Sequence, residues 1–67
     1  MSEYLLKIAQ RRIRNKIGIY EGKIKKIIKT NDIFAVEKIK VLKEKIKIKN
    51  DEWDEIQEEI KKYSEIS

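Results

Sequence analysis

The stretch LKIAQRRIRNKIGIYEGKIKKI, residues 6–27, decides the fold of this 67-residue chain. Its apolar residues recur at alternating steps of three and four, which is the period of one face of an α-helix. We call this row the first seam; it consists of Leu6, Ile13, Ile17, Tyr20, Ile24 and Ile27, with Gln10 in its one polar slot. The spacing predicts a helix over residues 3–29 that buries the first seam against another element.

A second row with the same helical period follows after a turn. We call it the second seam; it consists of Ala35, Ile39, Leu42, Ile46, Trp53, Ile56, Ile60 and Tyr63, and Lys49 interrupts it. One continuous helix over 33–65 fits this row. Two helices over 33–47 and 51–65 fit it as well, because Asn50 and Asp51 favour helix N-caps. Both arrangements remain open at this point.

Turn-forming residues separate the two seams. Thr30, Asn31 and Asp32 end the first pattern, and these residue types favour turns and helix caps. Ser2 precedes the first helix as a candidate N-cap. Because a short connection makes two helices antiparallel neighbours, we predict an all-α fold. It is an antiparallel helical hairpin or a three-helix unit, with a single domain over residues 1–67.

The chain is short for a self-sufficient core. A domain of about 60 residues buries only about 60% of its unfolded surface, which leaves its stability marginal. The sequence contains no Cys for a disulfide. We therefore expect two hairpins to dimerise into a coiled-coil-like helical bundle, in which their apolar faces cover each other.

The absence of His and Cys narrows the functional class. Without them the chain has no imidazole base, no thiolate nucleophile, no soft-ligand zinc site and no partner to activate a hydroxyl group. We therefore expect a protein that is not an enzyme and holds no cofactor or metal. No apolar run approaches the ~20 residues that span a bilayer, and no signal peptide begins the chain. We expect a cytoplasmic protein with no membrane partner.

Charge is segregated along the chain, although its total is only +5. Residues 1–31 carry nine cations and two anions, a net charge of +7. Residues 32–50 carry a net +3, and residues 51–67 carry two cations and seven anions, a net −5. In an antiparallel arrangement the basic first helix and the acidic last segment would attract each other, within one chain or across a dimer.

A basic stripe along the first helix is the candidate nucleic-acid-binding surface. It consists of Lys7, Arg11, Arg12, Arg14, Lys25 and Lys29. Such a stripe could follow a phosphate backbone, since each neutralised phosphate releases a counterion. Gly18 and Gly22 lie on the same face and would permit the close approach of another backbone. The alternative function is therefore a small basic helical dimer that binds DNA or RNA.

An acidic segment that contains the only tryptophan is the candidate partner-binding surface. It consists of Trp53, Asp54, Glu55, Glu58 and Glu59. Half-buried aromatic residues beside charges are common anchors of protein interfaces. A core tryptophan on a solvated helix would produce the same pattern. The leading hypothesis is a non-catalytic protein-interaction module that binds and neutralises or scaffolds a partner protein through this helix.

Three short runs resemble a known group of proteins. They are Ile17-Gly18-Ile19-Tyr20-Glu21, Asn31-Asp32-Ile33-Phe34 and Asp51-Glu52-Trp53-Asp54. Over residues 13–63 the chain resembles short all-helical prokaryotic antitoxins of the archaeal type, although Asn31-Asp32 stands where that group usually has a glycine-containing turn. The resemblance implies a nuclease-like toxin as the partner, blocked by the acidic helix around Trp53. It implies no catalytic residues.

Overall fold

The computed structural model describes the backbone of residues 2–66 and the side chains of residues 2–64. Two α-helices make up the fold: α1, Glu3–Thr30, and α2, Ala35–Ile66. They pack side by side as an antiparallel hairpin whose Cα atoms extend over 53 × 15 × 13 Å. No strand occurs among the described residues. The prediction of an all-α helical hairpin is confirmed.

Local signals begin and end α1. The Ser2 hydroxyl accepts a hydrogen bond from the backbone N–H of Leu5 at 3.3 Å, which satisfies one of the free amides of the first turn. Asn31 follows the helix with φ 50° and ψ 44°. This left-handed conformation ends a helix, and Asn adopts it more readily than most residues other than glycine. The helix therefore ends one residue beyond the predicted 3–29.

Asp32 determines where α2 begins. Its carboxylate accepts a hydrogen bond from the backbone N–H of Phe34 at 2.8 Å and forms an ion pair with the Lys38 ammonium group. Its carbonyl accepts a bond from the Ala35 N–H at 3.0 Å. The hydrogen bond from Lys38, followed by that from Phe34, lowers the pKa of the Asp32 carboxyl below its ordinary value. Because Asp32 holds the turn in this way, α2 begins at residue 35.

The second helix is continuous, so the alternative of two helices over 33–47 and 51–65 is wrong. Asn50 and Asp51 lie inside α2 as helical residues rather than as caps. Each costs at most about 0.7 kcal/mol relative to Ala in a helix interior. Packing of the second seam on both sides of this point outweighs that cost, since helices in proteins are stabilised mainly by their buried apolar face.

Lys49 fits into the second seam without ending the helix. Its side chain is half-buried, and its Nζ lies 3.3 Å from the Glu52 carboxylate. A lysine can lay its aliphatic stem along apolar surface while its charged end stays with water or a counter-charge. Lys49 therefore interrupts the apolar row of the second seam but does not interrupt the helix.

The two seams pack against each other and form a thin core. Apart from four buried side chains and the exposed Tyr63, the residues of both seams are half-buried. The buried side chains among the described residues are Leu6, Ile13, Leu42 and Ile60, each at most 9% exposed. So small a core agrees with the marginal burial expected for a chain of this length.

Gln10, in the polar slot of the first seam, fixes the register of the helices. Its Nε2 donates hydrogen bonds to Gln57 Oε1 at 2.9 Å and to the Trp53 carbonyl at 3.4 Å. A slip of one helix along the other would separate these half-buried polar groups from their partners, which is energetically unfavourable. Gln10 therefore stays level with Gln57.

Candidate functional site

The acidic candidate surface lies on the second half of α2. Asp54, Glu55, Glu58 and Glu59 are exposed, whereas Trp53 is half-buried. Asp54 and Glu58 are four residues apart and share one strip of the helix, and Glu55 and Glu59 form a second strip beside it. The structure therefore groups the four carboxylates on the solvent side of α2 and places the tryptophan behind them, towards α1.

Trp53 is engaged inside the hairpin. The Arg14 guanidinium carbon lies 5.5 Å from the centroid of its ring, and its carbonyl accepts the hydrogen bond from Gln10. A cation over an aromatic ring is attracted by the ring quadrupole. Trp53 thus joins α2 to α1, and its role in binding a partner stays a prediction.

All ion pairs among the described side chains are local in sequence. They are Lys7–Glu3, Lys38–Asp32, Lys49–Glu52 and Lys61–Glu58. Within residues 2–64 no ion pair joins α1 to α2, so the expected attraction between the basic and acidic segments is not expressed as an ion pair and stays a prediction. Asp54, Glu55 and Glu59 form no ion pair with any described residue.

The basic stripe of α1 is exposed along its length. It includes Lys7, Arg11, Arg12, Arg14, Lys25 and Lys29. Two members have partners within the chain, because Lys7 lies 3.4 Å from the Glu3 carboxylate and Arg14 lies over Trp53. A Cβ added to Gly18 or Gly22 would meet nothing within 4 Å. The close approach that these glycines permit is therefore not used within the described part of the chain.

The antiparallel fold divides the charge between two halves of the hairpin. We call residues 18–49 the turn half, and residues 1–17 together with 50–67 the open half. The turn half carries ten cations and four anions, a net charge of +6. The open half carries seven cations and eight anions, a net −1. In the open half, the negative charge of the acidic segment thus offsets the positive charge of the α1 arginines. In the turn half, lysines of both helices lie near one another.

A groove of about 780 Å³ opens between the helices in the turn half. Lysines form much of its rim, and Phe34 and Val41 within it are exposed. The apolar lining consists of Ile27, Phe34, Val41 and Leu42, and the rim includes Lys23, Lys26, Lys38 and Glu37. We call the side of the hairpin onto which it opens the groove face.

The groove face is not among the surfaces predicted above, although the sequence carries a signal for it. Phe34, Val41 and Ile48 recur every seven residues beside the second seam, and all three are exposed. Residues seven apart lie on the same side of a helix. A second apolar row outside the seam indicates a helix whose apolar surface is wider than one partner helix can cover.

Other features of the described residues bear on function. No group of three or more of their acidic side chains is placed to hold a metal ion. Neither helix, over the residues searched, is long and apolar enough to cross a bilayer. Comparisons with protein-family models, with curated proteins and with solved structures each find no match for this chain.

Proposed function

We propose that the chain is a non-catalytic protein-interaction module that binds a basic partner protein through the acidic side of α2. The observation that carries this proposal is that Asp54 and Glu59 are exposed and form no ion pair with a described residue. Carboxylates clustered on a helix attract a cationic surface, accelerate its association and orient it.

Neutralisation of a toxin is the concrete form of this proposal. Its support is the resemblance of the segments around Trp53 to the acidic helix of short helical antitoxins, together with the exposed carboxylates beside that residue. A nuclease must present a positive surface to hold phosphates. An acidic helix seated on that surface would compete with the nucleic acid and keep it out.

Co-expression with the protein encoded by the neighbouring gene tests the proposal. We expect a complex whose affinity falls as the salt concentration rises, and relief of any growth arrest that the neighbour causes alone. Reversing two charges, Asp54→Lys with Glu58→Lys, should weaken binding at least about tenfold while the helical circular dichroism is unchanged.

A matched control reverses two carboxylates in the turn half of the same helix, Glu37→Lys with Glu44→Lys. Both pairs change the net charge equally, so a specific acidic surface predicts that the control retains its affinity. Equal weakening by the two double variants, or no binding to the neighbouring protein at low salt, would show that this proposal is wrong.

Binding of DNA or RNA is a second candidate, and the net +6 of the turn half favours it. The exposed lysines that α1 and α2 contribute there include Lys25, Lys29, Lys40, Lys43 and Lys47. Because each phosphate contact releases a counterion, binding to a short duplex or an RNA hairpin should weaken steeply with salt. Fluorescence anisotropy should show a larger loss for Lys25→Glu with Lys29→Glu than for Arg11→Glu with Arg14→Glu. Absence of binding at low salt excludes this candidate.

A further inference from the structure

The groove face carries an apolar centre that both helices supply at the same height. Ile48 of α2 follows Val41 by seven residues, and Ile19 of α1 precedes Lys23, on the groove rim, by four. Both isoleucines are exposed. Gln10 lies beside Gln57, and Arg14 lies beside Trp53. In both pairs the residue numbers add up to 67, as expected for antiparallel helices that run past each other at equal rise. Ile19 and Ile48 also add up to 67, so they lie at the same level along the hairpin axis.

Opposite charges continue the two rows from this centre into the open half. On α1, Lys16 and Arg12 precede Ile19 by three and seven residues, so they lie on the same side of the helix. On α2, Glu52 and Glu55 follow Ile48 by four and seven residues. In the open half, the groove face thus has a cationic row on α1 and an anionic row on α2. The two rows lie at the same level along the hairpin axis.

These rows do not pair with each other inside the chain. No ion pair joins α1 to α2 among residues 2–64, and Glu52 pairs with Lys49 of its own helix. Arg12 and Glu55, which stand at the same height, form no ion pair with any described residue. Arg12 and Glu55 can therefore pair with opposite charges on a surface placed over the groove face.

We infer that the groove face binds a second copy of this chain, with the two turns at the same end. A two-fold axis parallel to the hairpin lays α1 of each copy on α2 of the other. Arg12 then faces Glu55 of the second copy, Lys16 faces its Glu52, and Ile19 faces its Ile48. Because the contact is isologous, each of these pairs occurs twice.

The opposite orientation would form neither the Arg12–Glu55 nor the Lys16–Glu52 pair, whereas the proposed one forms both, although it brings the two turn halves, each with a net charge of +6, to the same end. With the turns at opposite ends, α1 would lie on α1, and the groove-face cations Arg12, Lys16, Lys23 and Lys26 would oppose one another. The dimensions fit a stable dimer. A face about 53 Å long and 15 Å wide offers about 800 Å², which is what each partner buries in an interface of standard size.

Sedimentation equilibrium of the full chain over a concentration series tests the association. We expect a mass of twice 8.1 kDa. Arg12→Glu alone and Glu55→Arg alone should each weaken the dimer by about tenfold or more, and the two together should restore it to within about threefold of the original, because the pair is re-formed with reversed polarity. A monomer at every concentration, or no restoration in the double variant, would overturn the inference.

Two valines of α2 provide a matched control for the face. Val41 lies on the groove face and is 51% exposed, whereas Val36 lies outside the groove lining and is 81% exposed. Both side chains are accessible in the hairpin, so Val41→Lys and Val36→Lys should retain its helicity. Only Val41→Lys should dissociate the dimer, and equal effects of the two would place the contact elsewhere.

A distance between the turns tests the orientation in an otherwise unchanged chain. The sequence has no Cys, so Ile33→Cys at the exposed turn provides one spin-label site per copy. Labels within about 25 Å of each other support the arrangement, whereas a separation near the 53 Å length of the hairpin excludes it. Asp54→Lys with Glu58→Lys should leave the dimer intact, so failure of the proposed function and failure of this inference give different results.

Discussion

The two halves of the hairpin differ in how they are held together. Among the described residues, the open half contains three of the four buried apolar side chains, Leu6, Ile13 and Ile60. It also contains the hydrogen bond between Gln10 and Gln57 that joins the helices. In the turn half only Leu42 is buried among the described residues, and a groove opens beside it. Packing and register are thus provided mainly at the open end.

Charge and exposed apolar surface are concentrated at the other end. The turn half has a net charge of +6 against −1 for the open half. Most of the exposed large hydrophobic side chains lie there as well, including Ile19, Phe34, Val41 and Ile48. The half with the best helix–helix packing is therefore not the half with the most exposed charge and apolar surface, so changes in one half can leave the other intact.

Truncating one buried leucine in each half should produce the largest effect. Leu6 is 2% exposed and Leu42 is 9% exposed and borders the groove. We expect Leu6→Ala to lower the free energy of unfolding by about 3 kcal/mol and Leu42→Ala by about 2 kcal/mol, because a cavity costs most where the surroundings are closed. Urea unfolding followed by circular dichroism measures both.

These unfolding measurements need a constant chain concentration, since self-association adds to apparent stability. An equal or larger loss for Leu42→Ala would mean that the turn half is packed as well as the open half. The difference between the halves would then rest on charge alone.

Salt should have a smaller effect on the free energy of unfolding, and this effect tests the difference in charge between the two halves. Three lysine pairs in the turn half are four residues apart: Lys25–Lys29, Lys43–Lys47 and Lys45–Lys49. Each like-charged pair at this spacing destabilises a helix by roughly 0.2–0.5 kcal/mol. Because sodium chloride screens exposed charges, raising it from about 0.05 to 0.5 M should increase the free energy of unfolding by up to about 1 kcal/mol. A decrease would show that attraction across the open half dominates.

The fold could be predicted largely from the spacing of apolar residues. The first seam placed α1 within one residue at its C-terminal end, because every seam position falls on one helical face. At Lys49, Asn50 and Asp51 the sequence does not decide between one helix and two, for a physical reason. Local propensities there are compatible with both a break and a continuous helix, and packing of α2 against α1 decides between them.

The candidate surfaces could be predicted only in part. The exposure of the acidic residues follows from their chemistry, but the contact of Trp53 with Arg14 depends on the register between helices, which no single segment contains. The groove face depends on register too, since residues from both helices line it. The net +6 of the turn half can be counted from residues 18–49 alone, but only the antiparallel fold places the lysines of α1 beside those of α2.

Asp32 offers the smallest and most local test of the turn half. Its pKa is lowered by the hydrogen bonds from Lys38 and Phe34, so the folded state binds the proton less readily than the unfolded chain does. The resulting stabilisation is complete above the unfolded pKa of about 4 and is lost as the pH falls through the lower folded value. The melting temperature should therefore decrease below about pH 4.

Asp32→Asn isolates this contribution. Asparagine still accepts the Phe34 hydrogen bond but carries no charge for Lys38, so the variant should melt below the original chain at pH 6 and approach it near pH 2. Thermal melts by circular dichroism across this range measure the difference. Parallel curves for the two proteins would show that the Lys38 ion pair does not stabilise the turn. Curves that converge at low pH would show that the Asp32–Lys38 ion pair stabilises the turn, at the end of the hairpin where the lysines otherwise repel one another.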